Sequence, residues 1–392
     1  MYITYKFRYY PSPELITIHT RDMDNDRFVY NMGKQWIDEH FELTKKTISL
    51  FELQKKLPQL KLEHPRLNET AAQVLQQSIV KIRAAYHNYL LRIQVGVPNA
   101  SQPRWKCASD SQSVTYQQYV RIEGSNLIWF PKIGSVEVNI HRPVIGIVKQ
   151  ATILRNKCNQ WYICLYVDDG VPAPIVNHNG RVLGIDLGLK HLVVTSDGTK
   201  VDAPQFLKKR LDQLAKLQQT LANQTRGSKS YKRTKANIVR LHQKIINCRN
   251  DFAHKLSRKL VDENQVLVFE TLDIPKMLRT PWLAQAIADA SWGKVVYNCS
   301  YKTKRVGKSL LRAPSDFPSS KRCSCCGRRN KNLRLEDRVW TCPCGAQHDR
   351  DLNASINLEQ WGVNQIVISA LGGCGLPDEH ALDNLSGASC NH

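Results

Sequence analysis

Val182-Leu-Gly-Ile-Asp-Leu-Gly-Leu-Lys-His-Leu-Val-Val-Thr195 places one carboxylate, Asp186, inside an otherwise apolar run. The pattern predicts two buried strands, Val182 to Asp186 and His191 to Thr195, turning around Gly188. A charge in such a strand is costly unless a cation compensates it. Val266-Leu-Val-Phe-Glu270 has the same character: an all-apolar run, as in a strand buried on both faces, whose closing acid reaches the sheet edge. A third acid, Asp351, opens the helix-like run Asp351-Leu-Asn-Ala-Ser-Ile-Asn-Leu358. Hard Mg²⁺ takes oxygen ligands, and two such ions about 4 Å apart activate a water and stabilise the leaving oxygen in phosphodiester cleavage.

Just upstream of Asp351, Cys323-Ser-Cys-Cys326-Gly327 and Cys342-Pro-Cys344-Gly345 flank a basic hairpin, Arg328 to Thr341. Tight cysteine pairs on two knuckles deliver four thiolates to one tetrahedral Zn²⁺, and closed coordination of this kind supplies folding energy rather than catalysis. The expected ligands are Cys323, Cys326, Cys342 and Cys344, a glycine following each pair to allow unusual dihedrals. Cys325 is a rival ligand in the first knuckle. The other seven of the twelve cysteines, Cys107, Cys158, Cys164, Cys248, Cys299, Cys374 and Cys390, have no partner at ligand spacing and are expected as reduced thiols.

Around this centre the chain is strongly basic, with 56 Lys and Arg against 34 Asp and Glu, a net charge of +22 over 392 residues. A polyanion is the expected partner, because phosphate affinity scales with the number of basic contacts. Leu207, Leu211, Leu214, Leu217, Leu221 and Ile238, Leu241, Ile245, Phe252, Leu256, Leu260 have helical spacing on either side of a Gly-Ser-Lys-rich turn at 226–230. That antiparallel pair carries fifteen basic residues against two acids between Lys208 and Lys259, which points to nucleic-acid backbone contacts with Lys208, Lys209, Arg210, Lys232 and Arg233 among the candidates. The N-terminus has no apolar block of secretory type and no window approaches the ~18 apolar residues of a membrane span, so a cytoplasmic protein without membrane contact is expected. Residues 1–10 alternate as a strand closed by Pro11-Ser-Pro13. Helical periodicity follows at 27–58 and 69–93 across a break from Pro58 to Pro65, and short β-rich runs fill 119–170. A small β-barrel recruiting the first strand is expected there, with Val171 to Gly180 as a linker. The stretch from Glu359 to His392, without Lys or Arg, is expected to be loosely ordered and dispensable.

In this order, Gly184-Ile-Asp-Leu-Gly188, Phe269-Glu270 and Cys342-Pro-Cys-Gly-Ala-Gln-His-Asp-Arg-Asp-Leu-Asn-Ala-Ser355 resemble the three RuvC motifs of the TnpB family, transposon-associated RNA-guided DNA endonucleases related to compact type V CRISPR effectors. Arg27-Phe-Val-Tyr-Asn31 and Ala284 to Trp292 also resemble family segments. The resemblance spans roughly residues 1–358. It implies an α+β multidomain protein: a β-barrel wedge domain (1–14 and 119–170), an inserted helical recognition domain (15–118), a linker (171–180), an RNase H-like RuvC nuclease domain (181–320 and 346–358), a zinc ribbon (321–345) and a tail (359–392). It makes Asp186, Glu270 and Asp351 the Mg²⁺-binding triad, Asp349 being the competitor for the third place. It also implies a guide RNA, a double-stranded DNA target and a short target-adjacent motif, with Thr70 and Gln73 falling where readers of that motif lie, although a plain amphipathic helix fits the same stretch. The implied cell is prokaryotic, with the protein on the nucleoid when bound to DNA.

The leading expectation is therefore guided, Mg²⁺-dependent DNA cleavage in which base pairing selects the sequence and protein grips backbone and shape. A nuclease-inactive RNA-guided DNA-binding regulator and an RNase H-fold transposase are the alternatives. The C-x-C spacing, Cys325 and the Gly-containing tail without Lys or Arg depart from the family pattern.

Overall fold

The computed structural model describes residues 1–97, 99–108, 112–334 and 336–371, and contacts divide the described residues into two units, 1–172 and 173–371. In the first unit β1 (Tyr2–Tyr9) leads into α1 (Pro13–Thr44), α2 (Leu50–Lys55), α3 (Leu57–Glu63) and α4 (Ala72–Gln94). Then come β2 (Gln112–Tyr116), β3 (Arg121–Glu123), β4 (Leu127–Phe130), β5 (Gly134–Asn139), β6 (Ile147–Arg155) and β7 (Trp161–Asp168). These strands form one antiparallel sheet in the order β2-β6-β7-β1-β5-β4-β3. Its inner face gathers Phe7, Tyr9, Tyr116, Phe130 and Ile163 into a core that Met23 of α1 and Val74 of α4 join. The ladder runs from β2 to β3, and among the described residues those two strands do not pair, so no hydrogen bonds there close the expected barrel.

Three local expectations for this unit are corrected. Helix α1 starts at Pro13, not near 27: Ser12 caps it by accepting from the Leu15 N–H, and proline suits the first turn. Its early buried face is polar, with His19, Asp22, Asn25 and Asp26, which hides the apolar period. Pro58 and Pro65 start short helical turns rather than break the chain, each within the first two positions where no N–H is needed. Strand β2 falls inside the stretch expected to be helical, and Val114, Thr115 and Tyr116 are all buried.

The second unit is organised on β8 (Val182–Leu187), β9 (His191–Thr195), β10 (Lys200–Asp202), α5 (Leu211–Ala222), α6 (Lys229–Glu263) and β11 (Val266–Phe269). After these follow α7 (Ile274–Met277), α8 (Pro281–Ala290), α9 (Trp292–Arg305), β12 (Ser309–Arg312), β13 (Val339–Thr341), β14 (Gln347–Asp349) and α10 (Arg350–Ala370). The sheet order is β10-β9-β8-β11-β12, antiparallel across the β8–β9–β10 meander and parallel from β8 through β11 to β12. All four residues of β11 are buried, and burial of each such side chain contributes roughly 1.5–3 kcal/mol. Helices cover both faces. Leu183, Ile185, Leu256, Leu260, Val295 and Val296 pack on one side; Val266, Val268, Leu311 and Leu358 pack on the other.

Helix α10 continues to Ala370, which overturns the expectation of a loose tail for residues 359–370. Trp361 packs against Phe317, and Gly362 lies where a Cβ would strike Val268. Residues 372–392, with Cys374 and Cys390, lie outside the described residues. The expected linker is anchored at its far end: the Asn177 N–H donates to the Gly307 carbonyl (3.1 Å), and His178 Nδ1 lies 3.1 Å from the Ser309 hydroxyl. The helix expected through Ala284 and Trp292 is two helices, parted by Ser291 in the left-handed region at φ 53°. Among the described residues no helix is long and apolar enough to cross a membrane.

Helix α10 lies against β8 at Gly184, where a side chain would drive into the Ser355 carbonyl and the Glu359 N–H. Backbone cannot yield there as a flexible side chain does. Gly184→Ala is therefore expected to cost roughly 1–3 kcal/mol, the usual range for overpacking. Urea unfolding should show a lower midpoint at an unchanged m-value.

Candidate functional site

Alternation along β8 decides where Asp186 points. Val182 belongs to the core on the α10 side, whereas Leu183, Ile185 and Leu187 belong to the opposite core, so Asp186 shares the α10 side with Val182 and Gly184. Strand β11 runs parallel to β8 with Phe269 opposite Ile185. One further step of that register sets Glu270 beside Asp186. The acid has left the strand by then, and its Oε1 accepts the Leu187 N–H at 3.2 Å. Asp351 arrives from the first turn of α10. Three distant stretches thus bring their acids to one end of the sheet.

Electrostatics registers this convergence. Burial first, and then the charges of Glu270 and Asp351, hold the Asp186 carboxyl well above the usual carboxylate range. Burial also raises Glu270, against the Leu187 hydrogen bond, to about 7, with the Asp351 charge adding to the rise. Arg338 makes an ion pair with Asp351, its NH1 standing 3.3 and 3.4 Å from the two carboxylate oxygens. The chemistry of the donor set, acceptor-only oxygens short of cations, suits a hard divalent ion.

Asp349 does something else. Its side chain caps α10, accepting the N–H groups of Asp351 and Leu352 at 3.1 Å each, and it pairs with Lys200 Nζ at 2.6 Å. Burial pushes its carboxyl up, but Lys200 and the two backbone donors outweigh this and hold it below the ordinary value.

The cysteine knuckles sit directly before α10. Cys323, Cys326, Cys342 and Cys344 bring their sulfurs within 4.8 Å of one another. Cys323 and Cys344 are 3.8 Å apart, Cys326 and Cys342 3.6 Å. Four sulfurs at about 2.3 Å from a tetrahedral Zn²⁺ stand about 3.8 Å apart, so the cluster fits that ion. Gly327 and Gly345 take positive φ of 74° and 89°, and each donates its N–H to the carbonyl of the first cysteine of its knuckle. Beneath the sulfurs Leu333 and Trp340 form a small apolar core.

Two residues that sequence reasoning missed bind these parts together. Asn353 donates to the Arg322 carbonyl at 2.7 Å and accepts the Ser324 N–H at 3.0 Å; Asn357, one turn on, donates to the carbonyls of Ser319 and Arg322. Both are buried. Their i, i+4 spacing on the helix was the available signal.

The basic candidates lie elsewhere in the same unit. Lys208, Lys209 and Arg210 form a single helical turn before α5, whose first N–H groups are received by Asp289, itself paired with Arg249 at 2.8 Å. Lys208 and Lys209 are exposed, as are Lys232 and Arg233 on α6, while Leu214, Leu241 and Ile245 form the inner seam of the pair. Thr70 and Gln73 are not free to read DNA in this structure. Thr70 is fully buried, donating to Asp22 at 2.7 Å and accepting from Asn25 at 2.9 Å. Gln73 spends its amide on the backbone of Gln117 and Gln118.

Residues 163–280 match the OrfB_IS605 family, described as "Probable transposase", and residues 292–358 match the Cas12f1-like TNB domain. The "Putative RNA-guided DNA endonuclease" of Streptomyces pristinaespiralis is 30% identical over 366 residues, 92% of this chain and 89% of that one. The "Putative RNA-guided DNA endonuclease InsQ" of Escherichia coli K12 is 28% identical over 81% of each chain. The "CRISPR-associated endodeoxyribonuclease Cas12f1" of Sulfoacidibacillus thermotolerans is 22% identical over 54% of this chain and 53% of its own.

The raised carboxyls carry a pH signature. A carboxyl whose folded value lies above its unfolded one binds more protons when folded, so its contribution is present below the unfolded value and lost as pH rises through the folded one. For Glu270 that window runs from its ordinary 4.5 to about 7, and Asp186 acts in the same direction. In chelator-containing buffer, denaturant unfolding should show stability falling as pH is raised through this window. Glu270→Gln should flatten the fall and leave the variant more stable than wild type above neutral pH.

Proposed function

This chain belongs to the TnpB family (OrfB_IS605), and from that membership and its likeness to putative RNA-guided DNA endonucleases we propose that it is a guide-RNA-directed DNA endonuclease of a mobile element. The observation that carries the proposal is the convergence of Asp186, Glu270 and Asp351 on one end of a five-stranded sheet, with the Asp186 carboxyl raised by burial and by the charges of Glu270 and Asp351, and Glu270 raised by burial and by Asp351. In this reading the second unit is an RNase H-like RuvC nuclease (181–320 and 346–370) interrupted by a zinc ribbon (321–345). The first unit combines a wedge sheet (2–9 and 112–168) with a helical recognition block (13–94). The partners are a guide RNA and a double-stranded DNA target carrying a short adjacent motif. Retention of all three acids speaks against a binding-only regulator.

Asp186, Glu270 and Asp351 would hold two Mg²⁺ ions, which supply water activation and stabilisation of the leaving oxygen in phosphodiester hydrolysis. The chain's own residues prepare that site. Burial on the α10 side keeps the carboxyls poorly solvated, so they gain more from a cation than solvated acids do. The Leu187 N–H fixes the Glu270 carboxyl group. Asp349 caps α10 and so sets the turn that presents Asp351, acting as a positioning residue rather than as the third acid. The exposed lysines and arginines of the α5–α6 pair would grip phosphates without reading bases.

Cys323, Cys326, Cys342 and Cys344 would bind one Zn²⁺, whose role is to hold the hairpin that Asn353 and Asn357 dock onto α10.

The test is target cleavage by the full chain purified with RNA expressed from the flank of its own element, against a randomised library adjacent to a matching target. Cleavage should require Mg²⁺ and a guide. Losing a metal-binding acid removes several kcal/mol of charge stabilisation, so Asp186→Ala is expected to cut slower by on the order of 10³-fold. Cutting that persists in Asp186→Ala, or that survives removal of RNA, would defeat the reading.

A further inference from the structure

Cys325 is left over from the four-sulfur cluster, and the structure does not leave it isolated. Cys323, Cys325 and His348 bring two sulfurs and an imidazole nitrogen within 4.8 Å of one another. The three come from two separate segments: the first knuckle, and strand β14 on the far side of the hairpin. His348 is only 7% exposed and its ring lies against Trp340 at 4.7 Å between centroids, so it is held in place. Its Nε2 stands 3.1 Å from Cys323 Sγ. Cys325 faces solvent. Two thiolates and an imidazole select a soft or borderline ion over a hard one, and three protein ligands leave a fourth position open.

We propose that Cys323, Cys325 and His348 form a second, open metal site in the ribbon, for a thiophilic divalent ion such as Zn²⁺, with Cys323 as a thiolate bridging the two ions. Charge favours it. Four thiolates around one divalent ion leave a net charge of two minus; the second ion, arriving with the Cys325 thiolate and a neutral imidazole, halves that excess. The two ions then differ in exchange. The four-cysteine ion would have all four positions filled by thiolates, whereas the second would keep an open position beside the exposed Cys325, which gives the ribbon a labile ion beside a structural one. The inference rests on the zinc reading of the four-cysteine cluster, and the experiment separates the two.

The full chain is reconstituted with Zn²⁺ under reducing conditions and desalted. Its zinc content is then measured by mass spectrometry, and release is followed with a colorimetric chelator. Wild type is expected to hold two zinc ions per chain, one leaving early; Cys325→Ser, an exposed position, and His348→Gln should each hold one, the slowly released ion. Two ions in wild type that persist in Cys325→Ser would place the second ion elsewhere and overturn the site. One ion in both proteins would overturn it while leaving the four-cysteine reading intact, and would reduce His348 to a hydrogen-bond donor to the Cys323 thiolate. No zinc at all would defeat both. A Co²⁺ titration gives a reading that needs no variant: thiolate-to-cobalt absorbance that keeps rising past one equivalent supports the bridged pair, and saturation at one equivalent overturns it.

Discussion

The approach of helix α10 to strand β8 is the contact on which this unit depends. An ordinary side chain at residue 184 would hold the helix off the sheet, since the atoms it would meet belong to the backbone at Ser355 and Glu359. With glycine there, the helix lies close enough that its first turn stands over the end of β8. Gly362 repeats the device two turns further along, against Val268 of β11. The Asp186–Glu270 proximity follows from strand register alone, but Asp351 joins them only because the helix is seated. Interiors pack as densely as organic crystals, so a shift at Gly184 would be transmitted along the helix rather than absorbed.

The same helix is gripped from its other side by the cysteine hairpin. Asn353 and Asn357 reach the backbone of residues 319–324, and the Arg350 N–H donates to the Arg338 carbonyl at 2.8 Å. These bonds join the first turns of α10 to the knuckle and to the strand entering β13. An Asn-to-backbone bond depends on tenths of an ångström. Order in the sulfur cluster therefore bears directly on the placement of Asp351, although no cysteine stands among the acids. A closed metal cluster contributes folding energy, and here that energy would be delivered to the helix that carries the third acid.

Much of this was legible in the sequence. Apolar runs marked β8, β9 and β11; leucine periodicity marked the α5–α6 pair; glycines after the cysteine pairs marked the positive-φ turns. What stayed hidden was polar burial. The first half of α1 buries His19, Asp22, Asn25 and Asp26 against Tyr9, Thr70, Tyr116 and Ser78, so no apolar period announces it. Thr70 and Gln73 misled for the same reason: a polar residue on a helix reads as available for a ligand, yet each is consumed by internal bonds. Residues 359–370 read as loose because they lack Lys and Arg and belong to a stretch rich in Gly, Ser and Asn, but Gly362 and Trp361 are turned toward the sheet and Phe317, and that packing holds the helix.

The distribution of charge gives the acidic site its character. With a surplus of 22 positive charges, a carboxylate almost anywhere on this chain could find a lysine or arginine, and many do. Asp289, more buried than any acid of the trio, is fully answered by Arg249 and by backbone donors, and it stabilises a turn. Asp186 and Glu270 are not answered in this way. One backbone N–H serves Glu270, Arg338 pairs with Asp351, and the pull of Arg338 and Arg350 on the buried carboxyls is outweighed by burial and by the charges of the other acids. A fold that can satisfy Asp289 by placing one arginine beside it could satisfy Asp186 equally, and the cost of leaving it unsatisfied is large. Such a cluster favours protons, or cations from outside the chain, over bare carboxylates.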